Sequence, residues 1–255
     1  MALTYTNLTT GGDIADVTEP ATYATASITA TANRLVLIGI MMASTAATVP
    51  SAASVTGGGL TWVEVGAAGG LLYNADKRRL QVFRALGAAP SAGALTIALS
   101  PALSTTIGCM WSVIESSADV DTTGTNGSGA IVQSASNFSG SATSLIVTLA
   151  AFGDATNNAA VGFFGSNANN TWTPGVGFTE LGDAGQDSPT LSITSEYQTG
   201  QDLSVDATSA GAANPIGGFA LETKYALAGG AAGQPMRLRR RDGLVIPQQT
   251  GVKRG

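Results

Sequence analysis

Apolar residues in this chain recur at every second position, and almost nowhere at the 3.6-residue spacing of a helix. Leu95, Ile97 and Leu99 alternate with Thr96, Ala98 and Ser100; Leu191, Ile193 and Tyr197 alternate with Ser192, Thr194 and Glu196. Leu203 and Val205 alternate with Ser204 and Asp206. Successive side chains of a strand point to opposite faces, so each such run predicts one face toward a core and the other toward solvent or a partner. Residues 34–42 are instead a continuous apolar run, which suits a central strand buried on both faces. Turn signals separate the runs: Gly11-Gly12-Asp13, Gly57-Gly58-Gly59, Ala89-Pro90-Ser91, the Asn-rich stretch at 167–170 and Ala213-Asn214-Pro215. Short strands with this punctuation predict an all-β sandwich or barrel.

The two halves of the chain resemble each other. Leu35-Val36-Leu37-Ile38 matches Leu145-Ile146-Val147-Thr148, and Gly59-Leu60-Thr61 matches Gly177-Phe178-Thr179. Leu80-Gln81-Val82 matches Leu191-Ser192-Ile193, Leu95-Thr96-Ile97 matches Leu203-Ser204-Val205, and Val113-Ile114-Glu115 matches Ala220-Leu221-Glu222. The order is kept and the shifts differ by loop-sized amounts. The expected organisation is two tandem jelly-roll-like β-sandwiches related by internal duplication, unit one at 1–118 and unit two at 119–227. A Gly/Ala linker and a basic, extended C-terminal arm at 228–255 complete the chain.

Charge divides the chain at the same place. Residues 1–227 carry six Lys/Arg and sixteen Asp/Glu, a net of −10, whereas residues 228–255 carry six Lys/Arg against Asp242, a net of +5. Charged residues are only 11% of the whole, which leaves a weakly charged surface of small residues, suited to packing within an assembly.

The same composition narrows the chemistry. The chain has no histidine, which removes Ser-His and Cys-His nucleophile pairs and the commonest metal ligand. Its single cysteine, Cys109, forms no internal disulfide and, inside an apolar run, is expected in the core. The N-terminal residues lack the basic and apolar regions of a signal peptide. The apolar stretch at 35–49 is interrupted by Ser44, Thr45 and Thr48 and falls short of the ~20 residues of a membrane helix, so no membrane association is expected. No cofactor or metal is expected, and no enzymatic activity.

Several of these segments together carry a resemblance: residues 111–119 (Trp-Ser-Val-Ile-Glu-Ser-Ser-Ala-Asp), Ser144-Leu145-Ile146-Val147, residues 177–182 (Gly-Phe-Thr-Glu-Leu-Gly), Leu191-Ser192-Ile193 and Phe219-Ala220-Leu221-Glu222. The pattern resembles jelly-roll or β-sandwich structural proteins of tailed bacteriophages and of some bacterial surface proteins, over most of residues 30–225. The resemblance implies a virion component assembled in the host cytoplasm: a head decoration, spike, fibre or minor tail protein, with other virion proteins and further copies of itself as partners. It transfers no functional residue, and the arm lies outside it.

Candidate site residues come from the chain itself. In the arm, Arg237, Arg239, Arg240 and Arg241 precede Leu244, Val245 and Ile246, a combination expected to order on a partner subunit, with guanidinium–carboxylate pairs and an added strand or filled groove. Four arginines without interleaved aromatics make nucleic acid the lesser partner. Trp172 beside Asn170 in the Asn-rich stretch could stack on and hydrogen-bond a host-surface glycan, the alternative function being an adhesin module. Trp62 and Trp111 are expected in cores. Asp119/Asp121 and Asp183/Asp187 are acid pairs without a calcium-loop spacing, and nothing places two acids as a glycosidase needs. Lys77-Arg78-Arg79 reads as charge guarding a solvated strand edge.

Overall fold

The computed structural model describes residues 2–13, 22–44, 49–75, 77–100 and 107–226. The arm, including Arg237, Arg239, Arg240, Arg241, Leu244, Val245 and Ile246, lies outside the described residues. Among the described residues, apart from a 3-10 turn at Ser128–Ala130, the regular structure is all β. The first half contributes β1 (Tyr5–Asp13), β2 (Thr22–Ile28), β3 (Val36–Ser44), β4 (Ser51–Thr56), β5 (Val63–Glu64), β6 (Leu71–Tyr73), β7 (Arg78–Ala85), β8 (Gly93–Ser100) and β9 (Ile107–Ser116). The second contributes β10 (Ile131–Ala142), β11 (Ser144–Thr148), β12 (Ala159–Ser166), β13 (Trp172–Pro174), β14 (Thr179–Asp187), β15 (Thr190–Thr199), β16 (Ser204–Ser209) and β17 (Asn214–Thr223).

These strands form four antiparallel sheets. The first half has a large sheet β1-β9-β3-β7-β5, with β6 also on β7, and a small sheet β2-β8-β4. The second has β10-β17-β12-β15-β14 and β11-β16-β13. Counted within each half, with β5 and β6 taken as one strand, the large sheet runs first, eighth, third, sixth, fifth, and the small sheet second, seventh, fourth. That is the order of a jelly roll whose fifth strand has joined the first sheet, split into β5 and β6 in the first half. Four of the five sequence matches fall on strands or turns in corresponding places. The first does not: residues 35–38 run into β3, whose topological counterpart is β12, whereas residues 145–148 lie in β11. Both are short apolar runs, and composition alone does not separate them.

The two large sheets pack on each other, with β1 against β14, β3 against β15 and β7 against β17. Strand β3 shows how this works. Leu37, Met41 and Ala43 enter a core shared by both halves, with Phe163, Ile193 and Leu221 from the other side. Val36, Ile38, Ile40 and Met42 enter the first sandwich with Tyr23, Ile97 and Cys109. A third core, with Leu145, Phe164 and Val205, fills the second sandwich. The layers are therefore small sheet, large sheet, large sheet, small sheet. Each large side chain buried this way contributes roughly 1.5–3 kcal/mol. Cys109 is a free, fully buried thiol, and burial pushes its pKa up, followed by the charge of Asp13.

One sequence expectation changes here. The polar face of β15 was expected to meet solvent or a partner. Ser192, Thr194 and Glu196 are instead buried, because that face looks onto the small sheet β11-β16-β13. The alternation marks two different cores rather than a core and a surface.

Strand ends gather at two poles. At one, Leu3 N–H donates to the Asn157 carbonyl (3.3 Å) and Thr199 Oγ1 to the Leu3 carbonyl (2.7 Å), close to the end of β17, where the chain continues through Lys224, Tyr225 and Ala226. At the other lie the end of β1, the start of β9, and the loop after β12, where Arg78 Nη2 donates to Asn167 Oδ1.

Candidate functional site

Buried and half-buried carboxylates act as internal anchors. Glu115, on β9, accepts from the Thr31 backbone N–H and pairs with Arg34 at 3.5 Å. Glu222, at the matching place on β17, accepts from Asn158 Nδ2 (2.6 Å), Gln133 Nε2 (2.7 Å) and the Gly153 N–H (3.2 Å). Each ties the loop between the second and third strands of its half to the end of the last strand. Glu64 is held by Gln81 Nε2 at 2.7 Å and the Gly69 N–H at 3.1 Å. Asp121 pairs with Lys224 at 2.7 Å; desolvation raises its pKa, but the bonds from Lys224 and Thr123 outweigh it and hold the carboxyl below its usual range. Among the described residues no group of three or more acids or cysteines is placed to hold a metal ion.

Glu196 differs. It sits at zero exposure between the sheets of the second sandwich. One oxygen accepts from the Gly175 N–H at 3.1 Å and the other has no hydrogen-bond partner among the described residues. Desolvation, assisted by Asp206, Glu180 and Asp202, raises its pKa to about 8 despite the Gly175 bond, so it is largely protonated at neutral pH.

Two sequence-derived surface sites are corrected. Trp172 is not a loop residue with an open ring. It belongs to β13, keeps 5% exposure, packs against Phe164 with centroids 6.2 Å apart, and donates from Nε1 to Ser192 Oγ at 2.9 Å. Its face is not available to a sugar. Asn170 spends its Nδ2 on Ser209 Oγ at 3.1 Å. Arg78 likewise does not guard an open edge: it is buried, donates to the Ser44 and Lys77 carbonyls and to Asn167, and so joins the two halves; desolvation lowers its pKa. No protein-family model, curated protein or solved structure matches the chain. Among the described residues no helix is long and apolar enough to cross a membrane.

The structure assembles one site that sequence reading missed. At the loop pole, β1 of the first half and β14 of the second border a cleft of about 390 Å³. Its walls include Gly11, Gly12, Met110, Asn169, Gln186 and Asp187. The sequence predicts a turn at Gly11-Gly12; both residues instead lie in β1, and a side chain at position 12 would crowd Met110 and Gln186. Gln186 is 94% buried by its 6% exposure, and its Oε1 has no donor among the described residues. Asp187 is exposed and accepts from Asn169 Nδ2 at 2.8 Å. The Asn-rich stretch therefore does reach a polar cleft, through Asn169 rather than Asn170. The signal available in sequence was the Asp183-to-Asp187 segment; what it lacked was its partner strand, more than 170 residues earlier.

Proposed function

We propose that the chain is a non-catalytic structural subunit of a larger assembly, a virion component of the tailed-phage kind that its strand pattern resembles, and that its basic arm joins neighbouring subunits. The observation that carries this reading is the division of charge: residues 1–227 have a net of −10 and are followed, just past β17, by residues 228–255 with a net of +5. Opposite charges on two parts of one molecule favour association between copies, and steer it at low salt. The use of the body's carboxylates supports the same reading. Glu115, Glu222, Glu64 and Asp121 hold loops and strand ends in place, which suits a rigid block rather than a reaction centre.

The test compares the full chain with one ending at residue 227 by sedimentation velocity over a concentration series. The full chain is expected to associate at low ionic strength and to dissociate toward about 0.5 M salt, where the screening length falls to a few ångströms. The shortened chain is expected to stay monomeric with an unchanged β-sheet circular dichroism spectrum. A full chain that remains monomeric throughout, or a shortened chain that associates equally well, overturns the reading.

A further inference from the structure

We propose that the cleft between β1 and β14 is the receptor for the arginine-rich segment at 237–241 of a second copy, so that copies join pole to pole; this rests on the arm-mediated association proposed above.

The cleft selects for a hydrogen-bond donor with positive charge. Its wall holds Gln186 Oε1, buried and without a donor among the described residues, and the exposed Asp187 carboxylate, whose Oδ1 accepts from Asn169 Nδ2. Among the described residues that line it, none is Lys or Arg, so an anion finds no counter-charge. None is aromatic, so a sugar ring finds no stacking surface. A guanidinium carries five donors in a planar fork that matches a carboxylate and still reaches a neighbouring carbonyl-type oxygen. Both bordering strands lie at the edge of their sheets, so neither is covered by a further strand on that side.

The placement of the two ends fits a contact between copies. The chain leaves the body at the pole of Leu3 and Thr223, whereas the cleft lies at the opposite pole, ten-residue strands (β9 and β17) away, or about 34 Å. An arm leaving one copy thus meets the cleft-bearing pole of the next. Such a contact pairs two different surfaces and propagates as a ring or a filament. The eleven residue-to-residue steps from Ala226 to Arg237 span at most about 40 Å, so the arm's own cleft is the competing destination.

Sedimentation equilibrium on the full chain separates the possibilities, using wild type, the cleft variant Asp187→Lys and the arm variant Arg239→Glu/Arg240→Glu. The expected result is association in wild type, at least tenfold weaker association in each variant, and partial recovery when the two are combined, because the charges are then exchanged. Circular dichroism and unfolding midpoints identify any variant that fails to fold, and Asp187→Asn then replaces Asp187→Lys with the same expected direction. If the arm variant loses association while the cleft variants keep it, the receptor assignment is wrong and the arm reading stands. If association is unchanged in all variants, or wild type is a monomer with its arm on its own cleft, both are wrong.

Discussion

The Phe163 ring lies on Gly39 at the centre of the shared core, so close that a side-chain carbon at position 39 would overlap the ring. The two residues occupy matching places in the two halves. Gly39 pairs with Val82 and Ser112 across its sheet, and Phe163 with Ser195 and Phe219, once Glu115 and Glu222 are set in correspondence. Matching positions that face each other cannot both be large. Beside them the buried Ser112 and Ser195 hydroxyls lie 2.7 Å apart and join the two large sheets.

Gly39→Ala is therefore expected to destabilise the protein by about 1–3 kcal/mol, the usual cost of forcing volume into a packed core. Urea denaturation measures it. Adding Phe163→Leu, which relieves the overlap, is expected to cost less than the sum of the two single changes.

Glu196 makes stability depend on pH. Its folded pKa of about 8 lies above the ordinary carboxylate value, so the native state binds the proton more tightly than the unfolded chain does. Its contribution is complete below the unfolded pKa and is lost as pH rises toward about 8, at a slope of up to roughly 1.4 kcal/mol per pH unit. Glu196→Gln is expected to remove that slope and to be more stable than wild type at pH 8, read from urea midpoints at pH 5, 6.5 and 8, on the scale of that shift. A wild-type slope retained in the Gln variant would count against a protonated Glu196.

Trp172→Ala is expected to cost about 3–5 kcal/mol, because it empties a core site and leaves Ser192 without its indole donor. The midpoint of thermal unfolding reports it. A surface role predicts almost no change, so the measurement separates the buried ring from the open one that the sequence suggested.

The β class, the buried run at 35–42 and the core position of Cys109 were all legible in the sequence, because period-two patterning and turn residues are local signals. The stacking of large sheet on large sheet was not. Strands such as β15 alternate apolar and polar residues yet are buried on both faces, since Ser192 and Thr194 find partners or cover in a second core. Trp172 was misplaced because a three-residue strand is too short to show alternation. Arg78 was misplaced because a charged triplet gives no sign that a second sheet covers it. The seam cleft joins Gly12 to Gln186, and only the tertiary fold brings these together.

That cleft exists only if the two halves form one body. Hydrogen exchange of the β3 and β12 peptides, followed by mass spectrometry through a urea series, tests this most directly. The shared core requires both strands to open with the same free energy and the same urea dependence, the values for global unfolding. Exchange of β12 at a distinctly lower free energy than β3, with a smaller urea dependence, would mean that the halves unfold separately and would contradict the account.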